Sequence, residues 1–171
     1  MTLACRFSLV ALATLVACTK SAPVAGTAES AVASASSEAN VAVVKAYVDA
    51  WNRRDTVALD SLLGPGGIHD DIAWGFHGVG PAQVNGFMRD VLKTQPDYKW
   101  TVTSTFADGA HVAAEWTWTG TYTGPSPTGA LKNVRTSGRG VGIVEIENGK
   151  IRQFTDYYDA ASFFPKDSTR K

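Results

Sequence analysis

The sequence has only two cysteines, Cys5 and Cys18, and the first lies in an apolar stretch at the N-terminus. So few cysteines exclude a disulfide framework and a cysteine-rich zinc site. Charge of one sign is also missing: 16 Lys and Arg balance 16 Asp and Glu with no basic run, which argues against a nucleic-acid partner. No Ser-His-Asp or Cys-His arrangement, phosphate loop or cofactor fingerprint occurs, so no cofactor is expected. There is no internal repeat. The longest apolar run, Phe7 to Ala17, has 11 residues and is too short for a bilayer span. What the chain does have is aromatic weight, with five Trp and five Tyr, more than a thin core needs.

The apolar run has the length of a signal-peptide core, and Arg6 is the only charge in residues 1–17. It ends Leu15-Val16-Ala17-Cys18, which resembles the bacterial lipobox, where the cysteine is lipidated and becomes the new N-terminus. Cleavage there would leave 15 basic against 16 acidic residues, a formal charge of −1, and Cys18 as the sole cysteine. Residues 1–17 are therefore expected to be a lipoprotein signal peptide. Residues 18–38, rich in Ala, Ser and Thr and without aromatics, would be the lipidated cysteine and a flexible tether. That places the protein on a membrane of the bacterial cell envelope, facing the periplasm or the exterior. The domain is expected over 39–165, with a tail at 166–171.

Within the domain, Val41, Val44, Tyr47, Val48 and Trp51 predict an amphipathic helix over Ala39–Arg53. Asp55 and Thr56 start a short second helix, which Gly64-Pro65-Gly66-Gly67 stops. Ile68–Trp74 reads as a short strand and Gly75–Gly80 as a loop. Pro81 opens a third helix with Val84, Phe87, Met88, Val91 and Leu92 on one face. After Pro96 the period changes to two. Strands are expected over Trp100–Ala107, Ala110–Tyr122, Val134–Glu147 and Ile151–Tyr158, with turns at Asp108-Gly109 and Asn148-Gly149. Three helices followed by an antiparallel meander make an α+β fold.

The last strand holds the most chemistry, because a carboxylate within an aromatic strand is costly to bury unless paired or protonated. If Asn148 and Gly149 are the turn, Val141 opposes Asp156 and Arg139 opposes Tyr158. Arg139, Val141, Ile143, Phe154, Asp156 and Tyr158 then share a face, with Arg139 diagonal to Asp156. A bulge would break this register, and Gly138, Gly140 and Gly142 invite one. Asp156 with Arg139 is thus either an acid/base site or a structural salt bridge. An Arg partner would hold the carboxylate ionised, as suits a base.

The run from Val41 to Phe164 resembles the SnoaL-like polyketide cyclases of the nuclear transport factor 2-like superfamily. The likeness rests on the Tyr47–Trp51-Asn52…Asp55 helix end, Pro96-Asp97, Asp108-Gly109, and Trp116 followed by Thr119 to Gly124. Pro127-Thr128-Gly129 and Gly149-Lys150-Ile151 through Asp159 complete it. It implies a cone-shaped (cystatin-like) fold, helices wrapped by a bent antiparallel sheet around an apolar pocket, often paired into homodimers. It also implies an aldol-type closure with a pocket Asp as acid/base, at Asp156 or Asp159; strand parity favours Asp156, with Asp159 capping the exit. Many relatives carry His where this chain has Phe154, so that partner is missing. Asp156-Tyr157-Tyr158-Asp159 also resembles limonene-1,2-epoxide hydrolases, but their neighbouring Arg and second Asp have no counterpart in Ala110–Tyr122.

The remaining candidates are contacts for an apolar small molecule: Tyr47, Trp51, Trp74, His77, Trp116, Trp118, Phe154 and Tyr158. Trp116 and Trp118 share a face, opposite Thr101 and Lys99 if the first hairpin turns at Asp108-Gly109; they are either plain core or walls for a flat ligand. His69, Asp70 and Asp71 are not expected to bind metal, because Asp70 and Asp71 point to opposite faces of a strand. Two functions stay open: a cofactor-independent cyclase, isomerase or lyase acting on an apolar carbonyl compound, or a non-catalytic binding or scaffold domain.

Overall fold

The structure, a computed structural model, describes residues 26–126 and 129–163. Helix α1 spans Gly26–Arg53, and Val44, Tyr47, Val48 and Trp51 form its buried stripe. It starts well before Ala39, so the stretch expected to be a flexible tether is helical from Gly26 onward. Five alanines between 28 and 39 explain this, since alanine has the highest helix propensity. Asn52 pins the helix to the sheet, donating to Trp100 O (2.7 Å) and accepting from Trp100 N (2.9 Å). Helix α2, Thr56–Leu63, is capped by Asp55, which accepts from Ala58 N at 3.0 Å. Helix α3, Gly80–Thr94, has Pro81 in its first turn and buries Val84 and Met88. Asn85 of α3 donates to Asp60 of α2 at 2.7 Å.

The strands are β1 Ile68–Asp71, β2 Phe76–Val79, β3 Lys99–Asp108, β4 His111–Gly124, β5 Leu131–Glu147 and β6 Lys150–Tyr158. They form one sheet in the order β2-β1-β6-β5-β4-β3. The segment expected to be a loop after Gly75 holds β2, which pairs with β1 as a hairpin. Strand β1 in turn runs parallel to β6, so the sheet is mixed rather than wholly antiparallel.

Two register differences matter. The second hairpin turns at Asn148-Gly149 as expected, with Glu147 opposite Lys150, but a bulge follows at Arg152. One extra residue shifts every later pair by one, so Asp156 faces Gly142 and Tyr158 faces Gly140. Arg139 consequently lies exposed on the outer face, away from Asp156, and the expected Arg139–Asp156 pair does not exist. The first hairpin turns on Gly109-Ala110, with a further irregularity between Val102 and Ser104. Trp116 therefore faces Val102 and Trp118 faces Trp100, instead of Thr101 and Lys99.

The glycines of β5 are seats for rings. A Cβ on Gly138 would lie 2.6 Å from the Trp118 indole, one on Gly140 2.6 Å from Trp116, and one on Gly142 2.6 Å from Phe154. Because these three positions of β5 carry no side chain, the large aromatics of β4 and β6 lie across it there.

Candidate functional site

Between α1, α3 and the concave sheet lies a cavity of about 230 Å³. Asp156, Asp71 and His69 form its polar side; Trp51, Phe87, Tyr98, Trp100, Trp116, Trp118, Tyr122 and Tyr158 wall it. Trp74 and Asp90, both exposed, lie on its solvent side.

The β1–β6 pairing brings the polar groups together. Its register sets His69 beside Phe154 and Asp71 beside Asp156. Neighbouring strands lie about 4.8 Å apart, and residues two apart on a strand share a face, so both carboxyls point into the cavity from adjacent strands. Asp156 is 5% exposed and accepts from Trp116 Nε1 at 2.9 Å through Oδ1. Its Oδ2 lies 3.5 Å from His69 Nε2, and the other imidazole nitrogen is 3.0 Å from the Tyr47 hydroxyl. Asp71 accepts from the Tyr158 hydroxyl at 2.8 Å and from Trp74 N at 3.0 Å.

Burial, and then the neighbouring Asp71 charge, raise the Asp156 carboxyl well above the ordinary range, against the opposing Trp116 bond. Asp71 is also raised by burial, but the Tyr158 hydroxyl and the N–H groups of Trp74 and Ala73 pull it back. Burial pushes the His69 imidazole down to about 4, with Asp70 opposing. His69 is thus neutral at pH 7, so its 3.5 Å approach to Asp156 is not an ion pair there. Two like charges on adjacent strands cannot both ionise cheaply, so the pair titrates as a unit. With three donors against one, Asp71 is the better anion and Asp156 the better proton holder.

Of the residues picked from the sequence, Asp156, Trp51, Trp74, Trp116, Trp118 and Tyr158 line the cavity. Tyr47 and Phe154 are fully buried behind it and support His69, Phe154 by stacking on the imidazole at 5.3 Å and 10°. His77 does not reach it: its side chain is 63% exposed and pairs with Asp70 at 2.5 Å on the outer face. Arg139 is absent from it, and Asp159 caps the chain's exit by accepting from Ala161 N. Cys18 lies outside the described residues. The sequence reading missed His69, Asp71, Gln95, Tyr98, Trp100 and Tyr122. For His69 and Asp71 the signal was present, because an i, i+2 pair on a strand shares one face.

A model of the SnoaL-like polyketide cyclase family matches residues 41–165. Among solved structures, a SnoaL-like polyketide cyclase described as putative, from Jannaschia sp. CCS1, superposes with a TM-score of 0.65 at 16% identity, covering 74% of this chain and 90% of that one. A hypothetical protein with a ketosteroid isomerase-like fold from Catenulispora acidiphila gives 0.62 at 23% identity, covering 71% and 88%. An epoxide hydrolase of the limonene-epoxide-hydrolase-like type from M. tuberculosis gives 0.60 at 22%, covering 75% and 88%. No curated protein matches in sequence. The fold is therefore the nuclear transport factor 2-like, ketosteroid isomerase-like cone, at identities that speak for architecture alone.

Proposed function

Because the chain belongs to the SnoaL-like polyketide cyclase family, we propose that it is a cofactor-independent cyclase, isomerase or lyase acting on an apolar carbonyl compound. The observation that carries this is the Asp71–Asp156 pair on adjacent strands of a tryptophan-walled cavity. Two carboxyls whose surroundings separate their proton affinities can divide acid and base work between them. Asp71, ionised, takes an α-proton from the bound ketone; Asp156, protonated, donates a hydrogen bond to the carbonyl oxygen as it becomes an enolate. The enolate is then reprotonated at another carbon or attacks a second carbonyl. This reverses the expected role of Asp156, whose ionisation no arginine supports.

The test is α-proton exchange of 2-tetralone in D2O, followed by NMR. Wild type should accelerate exchange, and Asp71→Asn and Asp156→Asn should each lose about 10²-fold or more of that acceleration. Binding of the ketone with no acceleration by wild type would refute the enzyme.

One observation favours a second reading, a non-catalytic ligand-binding domain. Both Asp156 oxygens face protein groups, Trp116 Nε1 and the His69 ring, which suits a carboxyl fixed in place. Epoxide hydrolysis is less well supported. Asp71 supplies a second carboxylate, but no arginine lines the cavity among the described residues.

We also propose that Cys18 is lipidated and tethers the domain to a membrane of the cell envelope. The support is the Leu15–Cys18 sequence, and the test is labelled palmitate. Incorporation that vanishes in Cys18→Ser, with release of the protein from membranes, is the expected result. Label persisting in that variant would refute it.

A further inference from the structure

The turn that ends α3 brings two polar side chains to the cavity that the acid–base reading does not use. Gln95 closes the helix, its N–H bonding Val91 O at 2.9 Å and its carbonyl accepting from Tyr98 N at 3.1 Å. Asp97 clamps the turn to β4 through Thr121 N (2.6 Å) and Thr121 Oγ1 (2.8 Å). Gln95 is 2% exposed and lines the cavity. Gly120 makes room for it, since a Cβ there would lie 2.6 Å from its Oε1.

Among the described residues, the Gln95 carboxamide has one hydrogen-bond neighbour, Thr136 Oγ1 at 3.0 Å. That hydroxyl also lies 3.1 Å from Gly120 O and has a single proton to give. The Thr136 hydroxyl gives that proton to Gln95 Oε1, with Gly120 O as the second acceptor within reach. The Gln95 amide nitrogen has no hydrogen-bond partner among the described residues and is left free to donate. Nearby, the Tyr98 ring stacks on Trp118 at 6.0 Å and 15°, and its hydroxyl has no hydrogen-bond partner among the described residues. Tyr98 lines the same cavity as Asp71 and Asp156. A carboxamide held in place at one end and lining the cavity with the other is set to bind a group carried there.

We propose that Gln95 and Tyr98 form a second recognition site in the cavity, which takes a hydroxyl group carried by a flat ring ligand. The Gln95 amide nitrogen donates to the ligand hydroxyl oxygen, and the ligand O–H donates to the Tyr98 hydroxyl oxygen. This rests on the cavity being a ligand site and adds the polar end of what it holds.

Three probes separate the possibilities in NMR titrations of the full chain: 5-indanol, 5-methoxyindane and indane. Wild type should bind 5-indanol roughly tenfold more tightly than either of the others, the worth of one or two good hydrogen bonds. Gln95→Met and Tyr98→Phe should each erase most of that preference while leaving indane binding unchanged. Tyr98→Phe keeps the stacking ring and so serves even if Gln95→Met folds poorly. Equal binding of 5-methoxyindane and 5-indanol, or a preference that survives both substitutions, would overturn the proposal alone. If none of the three binds wild type, the ligand-cavity reading falls with it.

Discussion

His69 stands directly across the β1–β6 ladder from Phe154, its imidazole stacked on the phenyl ring and its Nε2 3.5 Å from Asp156. Histidine is therefore present beside the candidate acid, supplied by the neighbouring strand instead of the last one. The lowered His69 pKa and the raised Asp156 pKa have consequences that can be measured.

On the acid side, the His69 pKa is depressed from 6.5 to about 4, so the folded protein binds fewer protons than the unfolded chain between those values. Stability from this group is present above pH 6.5 and is lost as pH falls toward 4, with a slope approaching 1.4 kcal/mol per pH unit. Urea denaturation of His69→Gln should lack that slope; an unchanged acid limb would contradict it.

The sign reverses for Asp156. Its folded pKa is raised, so its contribution is present at and below the ordinary carboxylate pKa and declines as pH rises through the raised value. Asp156→Asn, which stays neutral and can still accept from Trp116, should flatten that decline. Carbon-detected NMR of labelled aspartates should find the Asp156 carboxyl titrating well above the ordinary carboxylate range in wild type, and that titration should be missing from the variant.

Trp116→Phe removes the one side-chain donor that steadies the Asp156 carboxylate. The Asp156 midpoint should move further up, and the protein should lose about 1–3 kcal/mol from the broken buried bond. A midpoint that stays or falls would show that the indole N–H is not coupled to the acid.

Gly140→Ala should cost about 1–3 kcal/mol by overpacking. Its Cβ would meet not only the Trp116 ring but the backbone oxygen of Tyr157, both at 2.6 Å, and a ladder carbonyl cannot move aside. Arg139→Ala, one residue away on the exposed face, should change stability by no more than about 0.5 kcal/mol and ligand binding not at all.

That contrast between neighbours shows which parts of the molecule local sequence could reveal. The stripe from Val44 to Trp51, the Asp55 cap, Pro81 at the start of α3 and the Asn148-Gly149 turn are short-range signals, and each element is where its residues indicated. Strand parity also turned Asp156 inward correctly. Arg139 failed because a single unpaired residue, Arg152, inverts the face on which every later partner sits. Asp71 failed for another reason: its place beside Asp156 is set by a parallel pairing across more than 80 residues, which no local pattern announces. In the same way, Gly138, Gly140 and Gly142 looked like the makings of a bulge when their role is to clear space for rings.

The same parallel pairing ties the site to the order in which the chain can become itself. Strand β6 is the last strand in the sequence, and only its arrival gives Asp71 its neighbour, seats the phenyl under His69 and brings the acid to Trp116. Contacts of such long sequence separation form late and slowly. A ribosome-bound or partly folded chain could hold its helices and the β3–β4 hairpin and still lack the paired carboxyls. Any activity of this cavity would then report that the whole domain has closed.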